Sequence, residues 1–206
     1  WGHKNHEKDI PMFNVKTNTR NLKFNEKGFL NIVSRSFGHN NSLFDRQLEN
    51  LNILDFLKFV PQELDPKILQ NTVLRLHPSN LDKENEHEFL RQEFLKLNSY
   101  QKNKYQKNFL TITKKSRLSL FVYNSTGILE NLSVNFPTVC YWKEGYNQVN
   151  KDLYHKFQLL EEAKIFFLNK NSLINHINNI WNNINSWWFA KETQKKINVC
   201  FEVVMV

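Results

Sequence analysis

Apolar residues in this chain come in short blocks, set between polar stretches rich in asparagine and lysine. The period within a block alternates between strand-like and helix-like. Leu118–Tyr123 is a continuous apolar run that ends in a polar knuckle, Asn124-Ser125-Thr126-Gly127. Leu129, Leu132 and Val134 then mark the inward side of a turn or two of helix, and Thr138–Trp142 forms a second apolar run directly after Pro137. Strand, tight turn, helix and strand within about 25 residues make a βαβ unit, and a βαβ unit implies a parallel sheet.

The same alternation holds along the rest of the chain. Residues 1–27 are polar and read as a linker or crossover arriving from an upstream part, with Trp1 and Met12 packing on a neighbour. Phe29–Val33 reads as the first strand, followed by a polar loop over residues 34–42 at its carboxyl end, where function tends to collect. Phe44, Leu48, Leu51, Leu54, Leu57, Val60 and Leu64 recur every three or four residues as an amphipathic helix, which Pro61 and Pro66 punctuate at its end. Thr72–His77 is the second strand, closed by Pro78, with Val73, Arg75 and His77 on one face. A guanidinium there is costly unless it reaches a partner or the strand's carboxyl edge.

Asp82–Leu97 reads as a helix, and so does the basic stretch from Ser99 to Ser116. Beyond Trp142 a polar loop leads to a helix carrying Leu153, Phe157 and Leu160, then to a short strand at Ile165–Phe167. From Ser172 a stripe of Leu173, Ile177, Ile180, Ile184 and Trp187, flanked by Ile174, Trp181 and Trp188, predicts closing helices held by burial rather than by propensity. The tryptophans read as a packing plug. The tail from Lys191 continues helical and finishes in an apolar end at Val206. The expected architecture is α/β, a Rossmann-like doubly wound parallel sheet over residues 28–206 with C-terminal closing helices.

Composition narrows the function without choosing it. The 206 residues suffice for one domain with a real core, and 40% apolar with 14% aromatic content excludes a disordered chain. No apolar run approaches the roughly 20 residues that span a bilayer. Cys140 and Cys200 make no metal spacing; Cys140, within an apolar strand, reads as a buried free thiol, and the pair implies a reducing compartment, while His3 and His6 read as solvated side chains of a mobile arm. The formal charge of +8 would suit nucleic acid, a membrane surface or a phosphorylated substrate. The lysines are scattered and no nucleic-acid motif is present, so nucleic acid is disfavoured as a partner.

The candidate chemistry sits at the knuckle. It presents hydroxyls, a glycine and a helix start in the order an anion requires: Ser125 and Thr126 can cap the helix or donate to phosphate oxygens, and Gly127 lets the backbone approach closely. Glu130 falls about one turn further on, within reach of a ribose diol, although helix-dipole stabilisation alone would also place a carboxylate there. Arg75 and His77 reach the same edge of the sheet if they face its carboxyl end. Equally, Arg75 could be satisfied by a helix carboxylate and His77 could cap a loop. The glycines do not form G-x-G-x-x-G, and no G-x-S-x-G elbow or Walker loop is present.

A family resemblance adds to this reading. Tyr123–Glu130, Asn135-Phe136-Pro137-Thr138 and Tyr141-Trp142 resemble the pattern of the bacterial surface-carbohydrate-biosynthesis transferases first recognised in spirochaete polysaccharide loci. Arg75-Leu76-His77-Pro78 looks like that family's arginine-bearing strand end. Trp1-Gly2-His3-Lys4 and Ile10-Pro11-Met12 look like the entry to its C-terminal half, and Ile184, Trp187, Trp188 and Gln194 fall where its closing helices carry a Trp pair. More broadly, the chain is similar to the donor-binding half of GT-B glycosyltransferases and to the polyol-phosphate polymerising transferases.

The resemblance implies a nucleotide-activated sugar donor as substrate, with no separate cofactor or metal. Its diphosphate would lie on Asn124, Ser125, Thr126 and Gly127, opposed by Arg75 or His77, and its ribose on Glu130. It also implies an N-terminal Rossmann domain ahead of Trp1 supplying the acceptor site, so no catalytic residue is assigned here. The location would be cytoplasmic, with peripheral association at the membrane's inner face. The rival readings are a nucleotide-sugar epimerase of the same architecture and a non-catalytic remnant that binds a partner.

Overall fold

The apolar blocks become neighbouring strands of one parallel sheet. The computed structural model describes residues 22–23, 25–35, 44–75 and 109–202. Within them β1 (Phe29–Val33), β2 (Thr72–Arg75), β3 (Ser116–Phe121), β4 (Thr138–Tyr141) and β5 (Phe166–Phe167) pair in the spatial order β2-β1-β3-β4-β5, every pair parallel. Between and after them run α1 (Phe44–Glu63), α2 (Pro66–Gln70), α3 (Phe109–Thr113), α4 (Thr126–Ser133), α5 (Tyr154–Glu162), α6 (Lys170–Ile180), α7 (Ile184–Trp188) and α8 (Lys191–Glu202). This is the doubly wound, Rossmann-like sheet with closing helices that the sequence predicts.

Register sorts the strand residues into two faces, because paired residues in a parallel sheet point the same way. Leu30, Ile32, Leu118, Leu120, Val139, Tyr141 and Phe167 share one face. α1 and α6 cover it, with the Phe56 ring stacked on Tyr141 at 4.4 Å between centroids and His176 against Phe167 at 5.3 Å. Lys170 ties the two helices together by pairing with Asp55 at 2.9 Å. The opposite face carries Asn31, Val33, Ser119, Phe121, Thr138, Cys140 and Phe166. α4 and α5 pack there, the Asn131 amide donating to Thr138 Oγ1 at 3.1 Å and Phe157 meeting Phe166 edge-on at 5.4 Å. Strands covered on both sides are largely apolar, and this is why they read as near-continuous runs.

One glycine is explained by this packing. A Cβ on Gly28 would lie 2.5 Å from the Lys115 carbonyl oxygen, so the chain can enter β1 beside β3 only without a side chain.

Several expectations are corrected in detail. The buried stripe of α1 is Ile53, Phe56, Leu57, Val60 and then Leu64, whereas Leu51 is 62% exposed and Leu54 only partly buried. Leu57, Val60 and Leu64 are thus buried as expected, and Ile53 and Phe56 take the places expected of Leu51 and Leu54. Pro61 lies inside α1 rather than ending it, and Pro66 opens α2, capped by the Asp65 carboxylate accepting from the Lys67 amide at 2.8 Å. β2 is described over Thr72–Arg75; Leu76, His77 and Pro78, like the helix expected over Asp82–Leu97, lie outside the described residues. Of the helix expected over Ser99–Ser116 the described part is α3, and Ser116 already belongs to β3. On α4 the buried residues are Ile128, Asn131 and Leu132, with Leu129 half-buried.

The closing region is not one helix. α6 gives way to a 3-10 turn at Trp181–Asn183, and Asn183 starts α7 by accepting from the Ser186 amide at 3.3 Å. That break rotates the stripe, so that Trp188 is fully buried and Trp187 only partly. The tryptophans pack rather than present a platform, and they do so at the amino edge of the sheet. Trp188 Nε1 donates to Asn135, just ahead of β4, and Trp187 Nε1 donates to the Ala163 carbonyl at 2.9 Å, just ahead of β5. Arg117, near the start of β3, lies over the Trp181 ring at 5.1 Å. Leu22 and Asn25 bond to Val134 and Ser116, and the Glu26 carboxylate accepts from Asn185 at 2.7 Å.

Asn135 is the clamp of this edge. Its φ of 52° lies in the left-handed region, and its carbonyl and side-chain oxygens accept from Trp188 Nε1 at 3.1 and 2.9 Å. Gln194 Nε2 adds a bond to the same side-chain oxygen at 3.2 Å. Asn135→Gly keeps the backbone but loses the acceptor, whereas Asn135→Ala also meets the left-handed penalty of about 1 kcal/mol. The alanine variant is therefore expected to unfold at lower urea than the glycine variant, and both below the wild type.

His176 supplies a pH dependence. It is largely enclosed between the Phe167 and Trp187 rings, and burial, reinforced by the nearby Lys164 charge, pushes its imidazole down to about 4. Since the folded value lies below the unfolded one, the unfolded chain binds the proton first as pH falls. The stability this ring contributes is full above about 6.5 and is lost as pH drops toward 4. In thermal melts over that range His176→Phe should show a shallower decline than the wild type; parallel declines would refute the assignment.

Candidate functional site

In a sheet ordered 2-1-3-4-5 the connections leaving β1 and β3 go to opposite faces, and sheets of this order generally have a crevice beyond those carboxyl ends. The residues at that crevice follow from register. Val33 is level with Arg75 on one side and Phe121 on the other. The Ser34 amide donates to the Arg75 carbonyl at 2.9 Å, and the Val122 amide to the Val33 carbonyl at 3.3 Å. Ser34-Arg35, Arg75 and the segment Tyr123–Thr126 thus leave the sheet side by side.

Of the residues expected from the sequence, Arg75 and the knuckle from Asn124 to Gly127 come together at this crevice, while His77 lies outside the described residues. Arg75 is half-buried at the last position of β2. Asn124 and Thr126 are exposed. Ser125 occupies the N-cap of α4 with extended backbone angles, but its hydroxyl does not cap the helix and lies beside the Tyr123 phenol. Its carbonyl accepts from the Ile128 amide at 3.2 Å. The helix start is therefore left without the side-chain cap that Ser or Thr usually provides there.

Gly127 has a different reason from the one expected. A Cβ there would come within 2.8 Å of the Phe121 ring, so the glycine first of all lets α4 settle on the sheet. Glu130 is half-buried, and no acidic residue lies in the first turn of α4, so its position is not explained by the helix dipole, whose influence fades after one turn.

Two residues join the site that the sequence reading did not single out. Tyr123 is half-buried at the end of β3, and burial raises its phenol, while the neighbouring Ser125 hydroxyl and the charges of Arg35 and Arg75 draw it back. Both guanidiniums thus act on the same phenol. Arg35 is ion-paired with Glu49 of α1, the two side chains being 17% and 19% exposed. The sequence signal for Arg35 was its place directly after β1, but its partner became visible only once α1 was packed. Cys140 lies behind the crevice, its Sγ 3.5 Å from the Tyr123 carbonyl; burial drives its thiol well up and leaves it unreactive.

The β4 end of the edge is closed differently. Asn52 of α1 bridges it, accepting from Lys143 Nζ at 2.8 Å and donating to Glu144 Oε1 at 2.7 Å. Among the described residues no group of three or more His, Cys, Asp or Glu side chains could hold a metal, and no helix is long and apolar enough to cross a membrane. Taken together, an uncapped helix start, two guanidiniums and several hydroxyls are suited to holding negative charge rather than to covalent chemistry.

A family model described as LIC12162 family transferase matches residues 1–201, and the chain belongs to that family of transferases. No curated protein and no solved structure matches it.

The glycine requirement can be tested without a ligand. Gly127→Ala forces the Phe121 ring or α4 to move, an overpacking cost of about 1–3 kcal/mol, and should lower the urea midpoint accordingly. An unchanged midpoint would mean that α4 is not seated on that ring.

Proposed function

We propose that this chain is the donor-binding domain of a glycosyltransferase-like transferase, with a nucleotide-activated sugar or polyol phosphate as its donor. The observation that carries the reading is the start of α4, uncapped by Ser125 and lying at the β1/β3 crevice, with Arg75 on the far side of β1. Membership of a transferase family and the Rossmann-like sheet support it. The donor diphosphate would lie along Asn124, Ser125, Thr126 and Gly127, with Arg75, and His77 two residues beyond it, opposing its charge. Glu130, one turn along α4, would accept from the ribose.

Transfer from such a donor places growing negative charge on the departing diphosphate. Backbone amides and a fixed guanidinium stabilise that charge most when they need not reorganise, which is positioning and electrostatics rather than covalent catalysis. In this reading the acceptor and the general base come from an N-terminal domain in a GT-B arrangement. The process served is surface polysaccharide synthesis at the cytoplasmic face of the membrane.

The test is a calorimetric and thermal-shift comparison with uridine, cytidine and guanosine diphosphates and their sugar conjugates. At least one should bind, and Glu130→Ala should weaken it about tenfold while leaving the melting temperature of the unliganded chain close to wild type. Absence of binding by all of them would favour a non-catalytic, partner-binding domain. Unchanged binding by Glu130→Ala would remove that residue from the ribose site alone.

A further inference from the structure

Arg35 is not among the residues assigned to the donor, yet it emerges directly from β1 at the crevice and its charge acts on Tyr123 together with that of Arg75. Its guanidinium is also engaged by Glu49, which projects from α1, the helix that covers the opposite side of the β1 connection. The carboxylate fixes Arg35 in place and offsets its charge. It is also a like charge beside any anion entering the crevice. Two arginines and a helix start bring more positive character than a single phosphate uses, and Glu49 offsets the charge of Arg35.

We propose that Arg35 is a second anion-binding arginine held in reserve by Glu49, which exchanges the Glu49 carboxylate for a phosphate oxygen when a pyrophosphate group enters the β1/β3 crevice. Arg35 and Arg75 then act from adjacent strand ends on a ligand bearing two linked phosphates, and Ser125 and the α4 amides act from the β3 side. An exposed ion pair would contribute little to such selectivity. This one is more than four-fifths shielded, so its electrostatics are less screened by salt, and in the exchange a phosphate oxygen takes the Nη1 group that Glu49 occupies. The exchange rests on the donor reading only for where the phosphates come from; the chemistry it requires is the linked diphosphate itself.

The experiment titrates the full chain with inorganic pyrophosphate and with orthophosphate. Pyrophosphate should bind more tightly than orthophosphate. Arg35→Gln should weaken pyrophosphate about tenfold, whereas Glu49→Gln should tighten it by a few-fold, because the competing carboxylate is gone. Placed on Arg35→Gln, Glu49→Gln removes only the like-charge repulsion and not a competition for Arg35, so the two changes should be non-additive. If Arg35→Gln lowers the melting temperature, Arg35→Lys keeps a charge but loses the forked donor, and should show an intermediate affinity.

A Glu49→Gln variant that binds pyrophosphate more weakly than wild type, or equally, overturns the exchange, since Glu49 would then be a support for Arg35 and not its competitor. Equal affinity in Arg35→Gln overturns the role of Arg35. Failure of the wild type to bind pyrophosphate overturns the exchange outright. Pyrophosphate binding with the predicted signs, but no binding of any nucleotide or nucleotide sugar, supports the exchange and overturns the donor reading instead.

Discussion

The indole of Trp188, donating into the left-handed turn at Asn135, determines which edge of this sheet is closed. A parallel sheet has two edges where its strands begin and end, and both expose backbone groups that must find partners. Here the C-terminal helices bring Trp181, Trp187 and Trp188 to the edge where β3, β4 and β5 begin, and the N-terminal segment adds Glu26 beside it. Large buried aromatics contribute both area and a fixed donor, so this closure is dry and well bonded. The carboxyl edge receives no comparable plug from the described helices. Its closure at β4 is polar, through Asn52, and at β1 and β3 it consists of ionic and hydroxyl groups. The asymmetry between a hydrophobic edge and a polar edge is what distinguishes the two ends of the sheet.

The polar side is supported by an unusual layer beneath it. Asn31, Ser119 and Thr138 are level across β1, β3 and β4, all fully buried, with Asn131 of α4 above Thr138. The Asn31 amide and the Ser119 hydroxyl find no partner among the described residues, and each such group costs about 1–3 kcal/mol relative to an apolar residue of the same shape. α4 therefore rests partly on polar contacts, with Ile128 and Leu132 as its apolar anchors and Gly127 set against the Phe121 ring. The helix that would meet an anion at its start is thus held less by hydrophobic burial than α1 or α6.

Much of this organisation was legible in the residue pattern. The continuous runs at Phe29–Val33 and Thr138–Tyr141 were identifiable because a doubly covered strand cannot carry many polar groups. The strand–turn–helix–strand unit around Gly127 was identifiable because its pieces are adjacent in sequence. What was not legible depended on contacts between distant segments. The true stripe of α1 was decided by Tyr141 facing Phe56, and the break at Trp181–Asn183 by the placement of Trp188 on Asn135. Gly127 illustrates the limit well: its need was visible, but its reason lay in a ring six residues earlier. Arg35 was hidden for the same cause, since its meaning comes from Glu49 and from the neighbouring end of β2.

The formal charge of +8 turns out to be a poor guide to the site. Scattered surface lysines act through solvent, where charges farther apart than about 8 Å are largely screened at physiological salt. The charges that matter for an anion here are the shielded pair of Arg35 with Glu49 and the half-buried Arg75, all close to Tyr123 or to its neighbours. A shielded carboxylate beside a would-be anion site weakens binding of a singly charged ligand and leaves a multiply charged one the better competitor. In the proposed exchange, local pairing would convert a generally basic surface into a site that discriminates by ligand charge, a property that neither composition nor the sheet alone would confer.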